Sequence, residues 1–440
     1  MNKYQSYKSS GVEWIGDIPE RWICVGTNKV YQNLGTGTTP TSDNEDYYSE
    51  DGYHWITTTD LNEGVMYDTL TKISDKSIKD YPNLKLYPTG SIYISMYGGK
   101  IGKLGVSTFE SYCNQSVCVL PKNDKISVKF YYYWFLGFQD FVKNMGRGGG
   151  QPNINKEMIK QFPTVKIPLL EQEEIVQFLD NKTDLIDKLI STKERKITLL
   201  KEQRTSLINE VVTKGLNPNV KMKDSGVEWI GEVPEHWIVT KFNRYVFFQE
   251  GPGLRTFQFT DNGTKVICVT NITENGIDFS YKKFISTEEY LEKYQHFTVQ
   301  KGDLLLSSSG NSWGKVSEYL EDEKVMLNTS TIRLNTLDSK RMNKTLIKYI
   351  LKSEFVRTQL DILMTGSCQP NFGPSHLNQL IIPIPPIEEQ IEIVSNIEKN
   401  DLEFQKLIQL EQKKIELLKE YRQSLILNVV TGKIKVTTDE

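Results

Sequence analysis

The chain has 440 residues, 38% of them hydrophobic and 25% charged, an ordinary composition for a globular protein and enough length for two or three domains. A formal net charge of −3 counts against a uniformly basic protein that coats nucleic acid. No apolar run is long enough to cross a bilayer, and the opening MNKYQSYKSSG lacks the apolar stretch of a signal peptide, so the expected location is cytoplasmic.

The first legible element is SGVEWIGDIPERW at 10–22, which returns as SGVEWIGEVPEHW at 225–237. It heads a duplication of nearly the whole chain. WITTTDLNEGV (55–65) matches ICVTNITENGI (267–277), both reading as a strand followed by an Asn/Gly turn. GSIYISMYGGKIGK (90–103) matches GDLLLSSSGNSWGK (302–315), which pairs Gly98 with Gly310, Gly102 with Gly314 and Lys103 with Lys315. NQS at 114 matches NTS at 328, QPN at 151 matches QPN at 369, and IPLLEQ at 167 matches IPPIEE at 384. Each copy is thus one unit of roughly 215 residues, too large for a solenoid repeat. The tryptophans of the repeated opening, Trp14, Trp22, Trp229 and Trp237, are read as packing anchors.

Charge is uneven along the chain. Residues 43–68 hold eight acids and no Lys or Arg, whereas 72–166 hold 14 bases against 6 acids, and 324–357 hold 8 bases against 2 acids. Two modules, each with a basic stretch, leave room for phosphate contacts.

Each copy closes on a long helix free of proline and glycine, 170–213 and 387–430. In the first, Ile175, Leu179, Ile186, Leu189, Ile197, Leu200, Leu207 and Val211 form an apolar stripe. Ile393, Ile397, Phe404, Leu407, Ile415, Leu418, Leu425 and Val429 form the matching one. Polar interruptions coincide too, with Lys182, Lys193 and Arg204 opposite Asn400, Glu411 and Arg422. Two matching stripes in one chain predict an intramolecular coiled coil, with a stutter around Lys193. The short connection at 214–224 favours antiparallel helices, forming a rod of about 64 Å. The predicted architecture is α/β (α+β): two similar globular domains separated by an antiparallel coiled coil of two long helices, with a pseudo-two-fold internal repeat. In chain order it divides into a module at 1–168, a helix at 169–214, a second module with its linker at 215–386, a helix at 387–431 and a tail at 432–440.

Little in the sequence suggests catalysis. The five cysteines form no CxxC pair and the four histidines show no metal-ligand spacing, so no metal site is expected. GGKIGK at 98–103 is not a phosphate loop, because Leu104 follows Lys103 where Ser or Thr is required, and the second copy fails in the same way at Val316. It reads either as a glycine-rich turn between strands or as a basic loop offering amides and Lys103 or Lys315 to phosphates. RGGGQPN at 147–153 and TGSCQPN at 365–371 read as hinges or, with Arg147, as a loop facing nucleic acid. Amino-methylation and nuclease motifs are absent.

Taken together, the SGVEWIGxxPxxW opening, the GxxxGK segment, QPN, and the helix starts IPLLEQEEIVQFLD and IPPIEEQIEIVSNI resemble the specificity subunit of type I restriction-modification systems, over essentially the whole chain. The resemblance implies two target recognition domains, each reading half of a bipartite, asymmetric DNA target, with the coiled coil setting the spacer. It implies docking of two modification subunits, which methylate adenine, and recruitment of ATP-dependent restriction subunits that translocate and cut. S-adenosylmethionine, ATP and Mg would sit on those partners, none on this chain, which would be non-catalytic and would act in phage defence. Lys100, Lys103 and Arg147 in the first module, and Arg255, Asn311 and Lys315 in the second, are the expected DNA contacts. A coiled-coil adaptor without DNA binding and a self-sufficient DNA methyltransferase are the alternatives.

Overall fold

The computed structural model describes residues 3–146, 153–274, 276–364 and 370–436. They gather into two compact units that do not follow one another along the chain. The first combines Met1–Glu194 with Lys413–Glu440, and the second is Arg195–Gln412. Each long helix is therefore divided between the units, a partition that the chain-order reading of module, helix, module, helix does not contain.

The long helices run over Leu169–Lys214 and Ile387–Val430. Pro168 and Pro386 stand just before them and accept the first helical bonds, from the Gln172 N–H (3.1 Å) and the Gln390 N–H (3.0 Å), where a missing donor costs nothing. Both helices stop at glycines in the left-handed region, Gly215 (φ +75°) and Gly432 (φ +73°). At the start, Gln172 and Gln390 are buried and do the same work. Gln172 donates to the Ile167 carbonyl (2.9 Å) and accepts from the Ser127 N–H (2.8 Å), and Gln390 donates to the Pro385 carbonyl (2.8 Å) and accepts from the Asn343 N–H (2.7 Å). IPLLEQ therefore aligns with PPIEEQ, and pairing it with IPPIEE is one residue out of register.

The apolar stripes follow the predicted phase except in one place. Ile175, Leu179, Ile186, Leu200 and Val211 are buried, Ile197 and Leu207 half-buried; Ile393, Ile397, Ile415, Leu425 and Val429 are buried, Phe404 and Leu418 half-buried. Leu189 and Leu407, however, are 51% and 43% exposed, and Ile190 and Ile408 turn inward instead. Lys182 is also exposed, and Thr183 takes the inward place. With Thr183 and Ile190 in the series, steps of three and four alternate from 183 to 211, the 3.5-residue average of a left-handed supercoil. The two consecutive fours fall at Ile175–Leu179–Thr183, and the matching ones at Ile393–Ile397–Asp401. The stutter thus lies near each helix start and not at Lys193. In the second unit the segments run antiparallel, with Lys196 on Glu411 (3.0 Å) and Arg204 forking onto Asp401 (2.8 Å through Nη2). In the first unit Arg422 pairs with Asp187 (2.9 Å).

Within the first unit, strands Gly35–Thr36, Val117–Leu120, Ile92–Ser95, Leu104–Ser107 and Gly64–Met66 form one sheet in that order. Tyr112–Cys113, Tyr48–Ile56 and Lys72–Ile73 form another. The aromatic helix Val128–Gly137 ties strand Pro163–Lys166, which pairs with Ile23–Gly26, to the long helix, with the Tyr131 hydroxyl on the Val165 carbonyl (2.9 Å) and the Tyr133 hydroxyl on Asp180 (2.7 Å). The second unit repeats the central hairpin as Leu304–Ser307 with Val316–Glu318, in a sheet with Thr331–Thr336 and Val246–Glu250. A five-stranded sheet of Phe259–Thr260, Lys283–Ile285, Thr264–Ile267, Val325–Leu327 and Thr298–Val299 lies beside it.

The duplicated opening segment serves the same joint in both units. The Trp22 indole N–H donates to Glu171 (3.2 Å), which also accepts from the Tyr4 hydroxyl (2.8 Å) and Arg21 (3.0 Å). The Trp237 indole N–H donates to Glu389 (2.9 Å), which also meets His236. Trp22 and Trp237 are buried and Trp14 stacks on Phe141 (centroids 4.8 Å), so three of the four tryptophans are anchors. Trp229 is 39% exposed and is not.

Candidate nucleic-acid interface

Three of the repeated motifs converge on one place in each unit. In the first, the loop joining Ile92–Ser95 to Leu104–Ser107 turns on Gly98 (φ +65°) and Gly102 (φ +77°), where a side chain would force the backbone out of its preferred regions. The Gly102 N–H returns to the Ser95 carbonyl (2.9 Å) and the Ile101 N–H to the Gly98 carbonyl (3.2 Å). The NQS segment supports it from one side, the Met96 N–H donating to the Ser116 carbonyl (2.9 Å). Asn153, the last residue of QPN, bridges to Tyr97 on the other side, and the Ile154 N–H donates to the Met96 carbonyl (3.0 Å). In the second unit Gly310 (φ +63°) and Gly314 (φ +80°) make the same turn, with the Gly314 N–H on the Ser307 carbonyl (2.7 Å). There the Ser308 N–H donates to the Ser330 carbonyl (2.9 Å) and the Phe372 N–H to the Ser308 carbonyl (3.0 Å). Ser330 holds φ +60°, a strained state for a residue with a side chain, of a kind that gathers at functional sites. The glycine-rich turn joins two strands with no helix behind it, so it is not built like a phosphate loop.

This node carries the expected cations. Lys100 lies in the turn Gly98–Lys100, and Lys103 and Lys315 immediately precede the returning strands. All three are half-buried, and among the described residues none makes a side-chain hydrogen bond or ion pair. Asn311 lies in the matching turn Gly310–Ser312. Arg255 sits elsewhere, exposed on the loop that follows Val246–Glu250. That loop nonetheless leaves from the node, since Glu250 accepts from the Ser330 N–H (3.0 Å) and the Gly251 N–H donates to the Thr331 carbonyl (3.1 Å). Arg147 and the first two residues of each QPN lie outside the described residues, apart from Pro370.

Two nearby cations were not signalled by the sequence. Arg357, exposed on helix Glu354–Leu363, stacks over Trp313 of the second turn at 4.6 Å, and Lys143 packs beside Gly102 of the first. Both come from helices some forty residues along the chain, so no local pattern links them to the turn.

Part of the basic charge read from sequence is neutralised in space. Lys76 pairs with Asp46 (2.6 Å) and Lys72 with Asp68 (3.5 Å), so the acid-rich 43–68 segment answers part of the basic run beside it. Lys129 pairs with Asp180, Lys344 with Glu318 and Lys352 with Glu274. Among the described residues, Lys100, Lys103 and Lys315 take no part in such pairing, whereas Lys143 pairs with Asp140 (3.2 Å). A hollow of about 980 Å³ in the first unit has the wrong sign for phosphate, since its wall carries six acids, among them Glu173, Asp180 and Asp187, against Lys122, Lys129 and Arg422.

No group of His, Cys, Asp or Glu suited to a metal occurs among the described residues. Burial pushes the Cys118 thiol up to about 12 and the Cys113 thiol higher still, which keeps both protonated and unreactive.

The sequence matches the family described as the type I restriction modification DNA specificity domain over residues 30–199 and again over 239–420. The chain belongs to that family. The two matches each contain one copy of the node. Among curated relatives, the type I restriction enzyme MjaVIII specificity subunit of Methanocaldococcus jannaschii is 26% identical over 389 residues, covering 87% of this chain and 86% of the relative. In the fold, the chain is similar to one from the structure described as "Structural basis underlying complex assembly and conformational transition of the type I R-M system", with TM-score 0.68 at 14% identity, covering 95% of this chain and 99% of the other. It is also similar to the HsdS subunit from Thermoanaerobacter tengcongensis, with TM-score 0.50 at 15% identity, covering 95% and 98%. As a specificity subunit the chain has DNA-recognition domains. No helix among the described residues is long and apolar enough to cross a membrane.

Proposed function

We propose that the two units each read one half of a split, non-palindromic DNA sequence, through loops that radiate from the two nodes. The observation that carries this is the duplicated node itself: one glycine turn flanked by unpaired lysines is built twice from the same three motifs in a DNA-specificity chain. Lys100, Lys103 and Lys315, joined by Arg255, Asn311, Arg147 and Arg357, hold phosphates, and polar side chains on the diverging loops read base edges. The long helices set the spacer between half-sites and dock two modification subunits. Those partners hold S-adenosylmethionine and methylate adenine, and restriction subunits add ATP- and Mg-dependent translocation and cleavage in the cytoplasm. This chain supplies specificity and no catalytic group.

The test is to co-express the chain with its modification subunit in a methylation-free host and map methylated adenines across the genome. One bipartite, asymmetric motif supports the proposal and reads out both half-sites. A soluble complex with an active modification subunit and no new motif points instead to an adaptor. Methylation by the purified chain alone would make it a self-sufficient enzyme.

The node makes a narrower prediction. Lys103→Ala weakens DNA binding across sequences and lowers the slope of log K against log salt by about one. Titrating a labelled duplex at several salt concentrations checks this, and an unchanged slope removes Lys103 from the interface.

A further inference from the structure

The internal repeat allows a comparison within one chain. The two units share the residue that opens the loop beside the node. Gly37 and Gly251 stand in equivalent places, a Cβ at Gly37 falling 1.5 Å from the Cys113 carbonyl and one at Gly251 falling 2.4 Å from the Asn328 carbonyl. Beyond that glycine the copies part. The first continues TTPTSDNEDY (38–47), with three acids and no base. The second continues PGLRTFQ (252–258), with one base and no acid.

Phe257 in this second loop is 85% exposed, more than any other large apolar side chain among the described residues. Single exposed hydrophobic residues are common and need no special cause, but this one is held out by its neighbours. The Arg255 N–H donates to the Gln258 side chain (2.8 Å), and Gln258 in turn donates to Glu289 (2.7 Å) and the Tyr294 hydroxyl (3.2 Å). Leu254 and Phe259 pack inward on Val266, Ile285 and Met326. Pinned on both sides in the turn Thr256–Gln258, the loop cannot fold Phe257 back onto the protein. The same loop carries the exposed Arg255, and the strand it leads into is flanked by a cation, the Lys283 ammonium lying 4.4 Å from the Phe259 ring centroid and 5.9 Å from that of Tyr281. An exposed apolar tip two residues from an exposed arginine, with a cation–ring pair at the strand that follows, matches a ligand with an anionic exterior and a stacked apolar interior, which is duplex DNA.

We propose that Phe257 is a wedge that enters the base stack of the half-site read by the second unit, unstacking one step and adding readout of DNA deformability to that half-site. The inference rests on the DNA-reading function proposed above.

The experiment uses the complete complex with its modification subunit and duplexes carrying the mapped target, with 2-aminopurine placed at successive steps of each half-site. Wild-type complex is expected to raise fluorescence at one step of one half-site only. Phe257→Ala should lose affinity by roughly 10- to 100-fold and abolish that rise, leaving the salt slope as in the wild type. Phe257→Leu should keep most of both, because a wedge needs bulk more than a ring. Because the side chain is exposed, the thermal midpoint should not move in either variant. If Phe257→Ala matches wild type in affinity and fluorescence while Arg255→Ala still lowers the salt slope, the wedge is wrong and DNA reading stands. If the wild-type complex shows no salt-dependent DNA binding, both fall.

Discussion

Trp237→Ala is expected to destabilise the second unit by about 3–5 kcal/mol, and Trp229→Ala by about 1 kcal/mol or less. The two indoles come from the same repeated phrase, eight residues apart, so any difference between them reports environment and not composition. Trp237 is 1% exposed and belongs to the same buried core as Val233, Phe242, Ile393 and Ile397. Its ring also lies under the helix-ending Gly215, where a Cβ would come within 3.1 Å of it. Its N–H is one of the donors to Glu389, so truncation opens a cavity and weakens the satisfaction of a carboxylate at once. Trp229 lies at the rim of a hollow beside Ser206, Asn209 and Thr213, and keeps much of its surface in water. Denaturant unfolding of each variant, followed by circular dichroism and tryptophan emission, measures both. Equal losses would mean that the indole–carboxylate joint has no special part in closing the unit.

The second large effect is expected at Gly37. Gly37→Ala should cost about 3 kcal/mol or more and should reduce the yield of folded chain, because the new methyl falls 1.5 Å from the Cys113 carbonyl oxygen, well inside any contact distance. The obstacle is backbone and cannot rotate away. The Gly37 N–H also donates to the Asn114 carbonyl (3.3 Å), so relieving the clash pulls apart the edge on which the NQS segment sits. Gly98→Ala provides the contrast. No atom lies within 4 Å of a Cβ there, and only the left-handed backbone, φ +65°, opposes it, at about 1–2 kcal/mol. Thermal unfolding of the two variants ranks them. Gly98→Ala proving the more harmful would show that turn conformation, and not close backbone approach, limits the first unit.

Much of this molecule can be read directly from the chain because it says most things twice. The long helices, their proline starts and the equivalence of the opening segments follow from matching copies. The phase error at Leu189 and Leu407 arises because two adjacent apolar residues, Leu189–Ile190, fit the stripe equally well by composition. The inward face is marked by Thr183, whose hydroxyl lies 3.3 Å from that of Tyr133, and Ile190 follows it in phase while Leu189 does not. The node was half legible. GxxxGK, QPN and N-x-S each stood out as repeats, but their convergence depends on pairings such as Tyr97 with Asn153 and Ser309 with Asn371, more than fifty residues apart. Arg357 and Phe257 lie where the copies differ, at Gln139 and in an acidic loop of the first unit, so repetition could not mark them. The basic stretches misled for a different reason: linear charge density ignores Asp46, Asp68 and Glu318, which reach back across the fold.

The interleaving of the two units has a consequence for synthesis. The second unit is one unbroken stretch, Arg195–Gln412, and holds everything it needs once residue 412 has left the ribosome. The first unit begins earlier but waits for Lys413–Glu440, including Gln423, which donates to the Leu136 carbonyl (3.0 Å) across 287 positions, and Arg422, which pairs with Asp187. The half of the molecule made first is therefore the half completed last. Until then the buried face of helix Val128–Gly137 that Ile426 and Leu427 cover at Gly137 stays open, which gives nascent-chain chaperones a defined patch and a defined interval in which to act.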